Sequence, residues 1–485
     1  MSQLPEEEEV DVVVVGAGPT GLLLAGDLAE AGVRVIILER RLEESNLTRA
    51  FAVHARTMEM LEIRGLAREL AKTGTQVRTL QLLGSARIDL TALPSEFNSV
   101  LVTPQYETER VLQRRVDRLG VNVVRGAKVT GLTQDAQGVD VAVRTADCAD
   151  ATCRASYVVG ADGVNSMVRA SLGLPFPGHP VIKSIMLADV RLSSPPSDVL
   201  AVNSSDEGFA FLVPFGDGWY RIIAWNRRHQ VDDSVPVELD EIREVTSSAL
   251  GTDFGMHDAR WLSRFHSDER LVPSYRVGRA FLAGDAAHCH SPAGGQGMNT
   301  GMQDAANLGW KLAAAVHGWG GEQLLNTYHT ERHPIGREVL FSSDALIRLI
   351  VIRPWLGRQI RNILLRAALR LPPIAAKVTG SISGIGFRYP APRGADRRVG
   401  SRAPNIPLAN GCLYDALRGG RFVLVGTDAS QLALPPQVDP VIPARPIDQL
   451  VLVRPDGYLA WIGAAAKFPT WARHYFAVDQ VGREV

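Results

Sequence analysis

Apolar positions along the chain fall into runs of different period. Residues 12–15 are a continuous run of valines, which suits a strand buried on both faces of a parallel sheet. Residues 22–28 continue as an apolar helix, Gly32 stands where a left-handed helix stop is expected, and the next strand closes on Glu39. Met58, Leu61 and Ile63 predict a helix within 45–65, and Val111, Leu112, Val116 and Leu119 predict another over 104–119. From Val121 the chain alternates toward strands, including 139–143, and returns to an apolar run at 157–159. Residues 281–283 read as a short strand, and Met298, Met302, Ala305, Leu308 and Leu312 as the apolar face of a helix. Between 175 and 275 extended segments prevail, such as 209–214 and 220–225, with one helix over 239–250. This stretch reads as a sheet laid over the first domain.

Between the first strand and helix stand Gly16, Gly18 and Gly21, completing G-x-G-x-x-G with Pro19 and Thr20. The first glycine permits the tight turn, the second clears a path for a pyrophosphate to reach the backbone, and the third lets helix and strand pack closely. Glu39 follows about twenty residues on, where a carboxylate can accept hydrogen bonds from an adenosine ribose. Strand, turn, helix, strand and acid together predict a Rossmann-like fold with a bound dinucleotide; this stretch alone does not separate FAD from NAD(P).

Composition narrows the class. The chain has 485 residues, enough for about three domains. Its 52 basic and 52 acidic residues cancel, so charge favours neither nucleic acid nor an anionic membrane as partner. Four cysteines include no C-x-x-C pair, since Cys148 and Cys153 are separated by four residues and Cys289 and Cys412 stand alone; a reducing cytoplasm fits. Residues 1–9 are acidic, lack a secretory pattern and are expected to be a loose tail. No apolar run approaches the length of a membrane span.

Two further turns carry candidate chemistry. YVVGADGVNSMVR places Asp162 beside Gly163, with Arg169 on the helix that follows. GDAAHCHSPAGGQGMN places Asp285 after a glycine and a glycine-rich loop from Pro292 through Gly295 to Gly297, Met298 and Asn299. The helix that begins there offers free amides, suited to the negative charge of a reduced isoalloxazine ring. His288, Cys289 and His290 alternate in a tight turn and do not complete a metal ligand set.

Together GAGPTG, GADG and GDAAH with PAGGQGMNTGMQDAANLGWKL resemble the class A flavoprotein aromatic hydroxylases, the para-hydroxybenzoate hydroxylase fold. Within that family the likeness is to actinobacterial polyketide hydroxylases, including anhydrotetracycline monooxygenases, and to rifampicin monooxygenases. It covers nearly the whole chain. The resemblance implies noncovalent FAD, with Glu39 at the adenosine ribose, Arg40 among the cofactor-binding residues, Arg49 and Gln105 along the cofactor, and Val129 offering backbone to adenine. It further implies Asp162 and Gly163 as a second fingerprint, Asp285 on the ribityl or pyrophosphate, and residues 292–299 around the ring. NADPH or NADH is expected as transient reductant and O2 as co-substrate, with oxygen transferred from a flavin C4a-hydroperoxide. No side chain is expected to be an obligatory acid or base.

The expected organisation is an α/β chain: a Rossmann-like FAD-binding domain at 10–174 and 276–333, a β-sheet substrate domain at 175–275, and a helical segment at 334–393. A linker at 394–403 leads to a C-terminal domain at 404–485, thioredoxin-like by resemblance but without C-x-x-C. Every cofactor motif precedes Gly400, so the last domain is expected to be dispensable for flavin binding. Six arginines interspersed with Leu and Ile over 346–371 predict a helix packed beneath a solvated arginine face in preference to a membrane contact. Phe211, Trp219, Arg221 and Trp225 are candidate walls for a flat substrate. The expected partner is a polycyclic aromatic small molecule, with the chain a monomer or homodimer. Antibiotic inactivation, on a tetracycline or a rifamycin, and sequestration of a drug by an inert flavoprotein are the alternatives. A flavin halogenase lacks its W-x-W-x-I-P signature here.

Overall fold

The computed structural model describes residues 10–44, 50–83, 86–196, 201–215, 217–291 and 294–476. Arg49 and Pro292 lie outside the described residues.

The valine run forms the strand Val10–Val15, which pairs in parallel with Asp150–Gly160 on one side and Val35–Glu39 on the other. Its side chains are buried on both faces, which is why the run is continuous and not alternating. Asn122–Arg125 and Ala280–Leu282 extend the sheet outward, and Lys128–Gln134 and Val139–Arg144 form an antiparallel flap on Asp150–Gly160. Around it lie α1 (Pro19–Glu30), α2 (Ala55–Glu62), α3 (Gln105–Arg118) and α4 (Met167–Ser171). The helix predicted within 45–65 is thus limited to α2; Ala52–Val53 just before it is a strand.

The middle region is an antiparallel sheet in the order Ala201–Ser204, Gly208–Pro214, Tyr220–Asn226, Gly178–Leu192, Met256–Leu271, His288–Cys289. Period-two alternation divides its faces. Leu212, Ile222 and Ala224 pack toward α5 (Leu239–Leu250), whereas Phe209, Val213, Ile223 and Trp225 pack with Phe51 and Ala52 on the other side. The edge strand His288–Cys289 belongs to the third motif, so that motif is hydrogen-bonded into the substrate-side sheet.

α6 (Gly297–Val316) and α7 (Glu322–Ile350) follow, then α8 (Trp355–Leu369) and α9 (Pro372–Ser383). α7 runs unbroken through Pro334, so the expected boundary at 333/334 falls inside one helix. Its residues serve three cores in turn: Leu325 and Tyr328 the first domain, Ile335 and Val339 a cluster with Tyr389 and Tyr458, Ile347 and Ile350 the sheet. The arginine-face expectation for α8 is overturned. Arg361 is buried, its Nη1 donating to the Leu349 carbonyl at 2.8 Å, while Leu364 is 63% exposed.

The C-terminal sheet runs Val438–Val441, Phe422–Val425, Leu450–Val453, Leu459–Gly463; the first pair is parallel and the others antiparallel. The expected linker is not loose. Val399 and Ala403 are buried, Gly400 N–H donates to Leu459 O, and Ala403 N–H donates to Gly457 O. No described helix is long and apolar enough to cross a membrane.

Candidate active site

Three glycine turns, far apart in sequence, meet at one place. At Gly16, where φ is +104°, an added Cβ would lie 2.4 Å from the Ala161 carbonyl oxygen, so the first turn touches the second. At Gly301 on α6 it would lie 2.5 Å from Thr20 Oγ1 and 3.0 Å from Gly284 Cα, so the third motif closes on the start of α1. Gly21 permits a close approach to Gly16 O, 2.0 Å from its would-be Cβ. Gly18 and Gly163 differ: an added Cβ at either meets nothing within 4 Å. Backbone is therefore packed tightly around an open space.

Two helices begin beside that space without side-chain caps. α1 starts at Pro19 after Gly18, and α6 starts at Gly297 after Gln296; neither has an acidic residue in its first turn. Their first N–H groups are left for another partner. Met298 is half-buried in the first turn of α6, and Asp285, exposed, lies with its Oδ1 4.0 Å from the would-be Cβ of Gly297. Gly295, at φ +63°, packs where a Cβ would come within 3.0 Å of Ala52 Cβ.

Glu39 ends its strand buried. Oε2 accepts the Ala17 N–H at 2.8 Å, and Oε1 accepts Arg41 N–H at 2.9 Å and Arg41 Nε at 3.0 Å. Burial opposes its ionisation, but these donors outweigh that cost and hold its pKa below the usual carboxylate range. The expected Arg40 is exposed, and Arg41 is the arginine that turns to the acid. A cleft of about 240 Å³ opens here, lined by Ala17, Arg41, Tyr106, Glu109 and Arg125. Gln105 spans its edge, accepting Ala50 N–H at 3.1 Å and donating to Glu109 at 2.8 Å. Val129 is buried in its strand opposite Val143.

Several motif side chains are committed to the protein itself. Asp162 Oδ2 accepts Met167 N–H at 2.7 Å and so caps α4. Asn299 Oδ1 accepts His54 N–H, and its Nδ2 donates to Ala52 O and Gly295 O, all at 2.8 Å, which uses both donors of its amide. His288 Nε2 lies 2.7 Å from Asp304 Oδ2, and Asp304 also takes Arg332 Nε at 2.7 Å and Gly284 N–H at 3.1 Å. This fully buried carboxylate ties the Gly284 turn to α6 and α7. Sequence reasoning missed Arg41, His54 and Asp304; the one signal for Asp304 was an acid on a helix otherwise read as core.

The four candidate wall residues divide. Phe211 lies 5.5 Å from the ring of Phe51, whose neighbour Ala52 is the residue that Gly295 of the glycine loop approaches. Trp225 is buried, donating its Nε1–H to Lys183 O at 3.1 Å. Trp219 stands at the sheet end, stacked by Arg260 and Arg191. Arg221 faces Phe51 and Phe215, but it is 0% exposed and bound twice to Asp189, at 2.8 and 2.9 Å, so it presents no surface to a pocket. A second cleft, of about 250 Å³, lies at the other end of α6 between Trp310, Trp319 and Phe422. It is ~16 Å along the helix from Asn299, given 1.5 Å per residue.

Comparison with known proteins follows the same outline. A rifampicin monooxygenase of Streptomyces venezuelae is 38% identical over 476 residues, covering 95% of this chain and 98% of that protein. A dialkyldecalin synthase of Streptomyces rugosporus is 32% identical over 482 residues, covering 95% and 98%. The solved anhydrotetracycline hydroxylase of Streptomyces rimosus superposes with a TM-score of 0.84 at 34% identity, over 97% of this chain and 99% of that one. The profile of the FAD binding domain family matches residues 9–343, and with these relatives it shows that the chain belongs to that family, among its aromatic hydroxylases.

Proposed function

We propose that this chain is an FAD-dependent, NAD(P)H-consuming monooxygenase that hydroxylates a large phenolic or polycyclic aromatic polyketide. The observation that carries the reading is the meeting of three glycine turns around open space, with two uncapped helix starts facing it. The residues fit the cofactor. Space over Gly18 would take the pyrophosphate against the N–H groups of α1, and Glu39, oriented by Arg41, would accept the adenosine ribose hydroxyls in the adjacent cleft. Asp285 would hold the ribityl chain, and the N–H groups of Gly297, Met298 and Asn299 the pyrimidine edge of the ring. Val129 backbone would border adenine, and Gly163 would leave room at the second turn.

Bound FAD supplies hydride acceptance from the nicotinamide and delivery of one oxygen atom from O2 to the substrate. The protein's part is position, dryness and field. Phe51, Phe209, Phe211 and Ile223 share one apolar cluster, which would keep water from the substrate side of a bound flavin. Asn299 fixes the glycine loop to Ala52 and His54, so the floor of the site does not depend on substrate.

The similarity to a dialkyldecalin synthase motivates a second reading, ring formation without net oxidation in the same pocket. One experiment separates them. FAD-loaded protein is given NADPH, O2 and a panel of anthracycline, angucycline, tetracycline and rifamycin compounds. The hydroxylase reading expects NADPH loss accelerated by at least one compound, with a product heavier by one oxygen. Peroxide alone across the panel refutes it; an isomeric product without NADPH loss favours ring formation.

A further inference from the structure

α8 carries apolar residues on both sides. Leu365 and Leu369 pack inward on the sheet cluster, yet Leu356, Ile360, Ile363 and Leu364 are 60%, 49%, 56% and 63% exposed, as are Trp355 at 66% and Leu371 at 53%. At 3.6 residues per turn, positions 356, 360, 363, 364 and 367 of α8 share an arc about 100° wide, and Leu371 follows at the break before α9. Six such side chains at half exposure leave roughly 600 Å² of apolar surface bare, the upper end of what a monomer tolerates.

The roll of the helix is fixed. Arg361 reaches inward to Leu349 O, and Arg358 pairs with Asp206 and donates to Arg353 O at 2.7 Å. Turning the stripe inward would break both arginine anchors, so its exposure follows from the packing.

Charge selects what covers it. Residues 351–383 contain six basic residues and no acid. Arg366 and Arg370, one turn apart and exposed, flank one edge of the apolar arc. Arg366 Nε donates to Asn362 O at 3.2 Å, a backbone contact that leaves its charge in place, and among the described residues Asp206 and Asp344 pair with Arg358 and Arg348. A second copy laid symmetrically on this stripe would set these arginines against their own kind, whereas an anionic lipid surface matches both halves of the pattern. We infer that α8, with the start of α9, is a docking face for an anionic membrane surface, on which α8 lies flat with Arg366 and Arg370 at the headgroups. The helix is too short to span. Its inner face borders the sheet cluster, so docking sets the proposed pocket beside the phase that dissolves a polycyclic substrate.

The test is flotation of the full-length protein with vesicles of phosphatidylcholine alone and of phosphatidylcholine with phosphatidylglycerol in equal parts. Binding to the anionic vesicles is expected, falling with added salt. Ile360→Glu with Leu364→Glu should abolish it, and Arg366→Gln with Arg370→Gln should weaken it about thirtyfold. Far-UV circular dichroism and flavin content should be unchanged in all variants. Binding that persists in the glutamate variant overturns the inference. No vesicle binding, together with self-association in sedimentation velocity that the glutamate variant abolishes, assigns the face to a second copy instead. Neither binding nor self-association also overturns it.

Discussion

Replacing Arg454 by methionine tests whether the C-terminal domain is a dispensable appendage or a clamp. Arg454 sits at the Arg454–Gly457 turn, 7% exposed, and its Nη1 and Nη2 meet Glu331 of α7 at 2.7 and 2.9 Å. It also holds Asp456 at 3.1 and 2.6 Å. Lys311 of α6 donates to Glu331 at 2.7 Å, and Asn307 of α6 donates to Asp456 at 3.2 Å. Two cations and two carboxylates therefore balance in a buried network that joins three segments. Methionine keeps much of the volume and removes one charge, leaving two buried carboxylates to share Lys311. Removing one partner of a buried pair costs about 3–5 kcal/mol, chiefly through the charge left unpaired. At roughly 2–4 °C per kcal/mol for a domain of 150–250 residues, the melting temperature should fall by about 10 °C.

The assay is urea unfolding followed by tryptophan fluorescence, since Trp310 lies under Arg454 and against Phe422. Flavin retention is measured in parallel. The double variant Arg454→Met with Glu331→Gln removes one charge of each sign, so it should lose less than the two single losses added, with a coupling of about 1–3 kcal/mol. A loss under about 1 kcal/mol in Arg454→Met, or strict additivity in the cycle, refutes the clamp; loss of flavin from a folded Arg454→Met variant would instead count against the expectation that the chain after Gly400 is dispensable for flavin binding.

Gly18→Leu should leave the fold intact, because nothing stands within 4 Å of the new Cβ, yet yield mostly apoprotein; full FAD occupancy on acid precipitation would contradict the assigned turn. Arg41→Ala should weaken FAD binding about tenfold while Arg40→Ala leaves it unchanged, which a flavin titration of apoprotein would reveal. His54 is buried and its pKa is lowered from 6.5 to about 4, chiefly by desolvation, so the unfolded chain binds its proton first. Its contribution to stability is whole above pH 6.5 and is lost as pH falls toward 4, by roughly 3 kcal/mol at most. His54→Asn should flatten unfolding free energy across that window, and an unchanged slope would exclude His54 as its source.

What was legible in the sequence is what local chemistry determines. The valine run needed two buried faces, the glycines needed turns without side chains, and the 239–250 helix ended at a glycine that is left-handed at φ +84°. The misreadings share a different cause. Arg40 and Arg41 are adjacent and alike, and which one turns inward is decided by where Glu39 presents its oxygens. Arg221 alternates correctly onto the inner sheet face, but its cross-strand neighbour is Asp189, and that pairing buried it. The Arg454–Gly457 turn joins two antiparallel strands as a hairpin, which local sequence can specify; its second role, with a would-be Gly457 Cβ only 2.9 Å from Ile63 Cδ1 of the segment after α2, depends on a contact no local pattern encodes.

α6 shows why such contacts matter to the site. Its apolar stripe reads as a core face, and Asn299, Gln303, Asn307 and Lys311, each four residues from the next, line the opposite side. All four are buried. A helix buried all round carries polar residues at least cost where other segments satisfy them, and here Asn299 is held by the loop before α2, Asp304 by α7 and the Gly284 turn, and Asn307 and Lys311 by Glu331 and Asp456, whereas Gln303 Oε1 meets no partner among the described residues. Those partners fix the rotation and height of α6 along its whole length. The uncapped N–H groups at its start can then face the open space over the first glycine turn in one orientation only. Through Asp456 and Arg454 the C-terminal segment bears on the angle at which α6 presents its first turn.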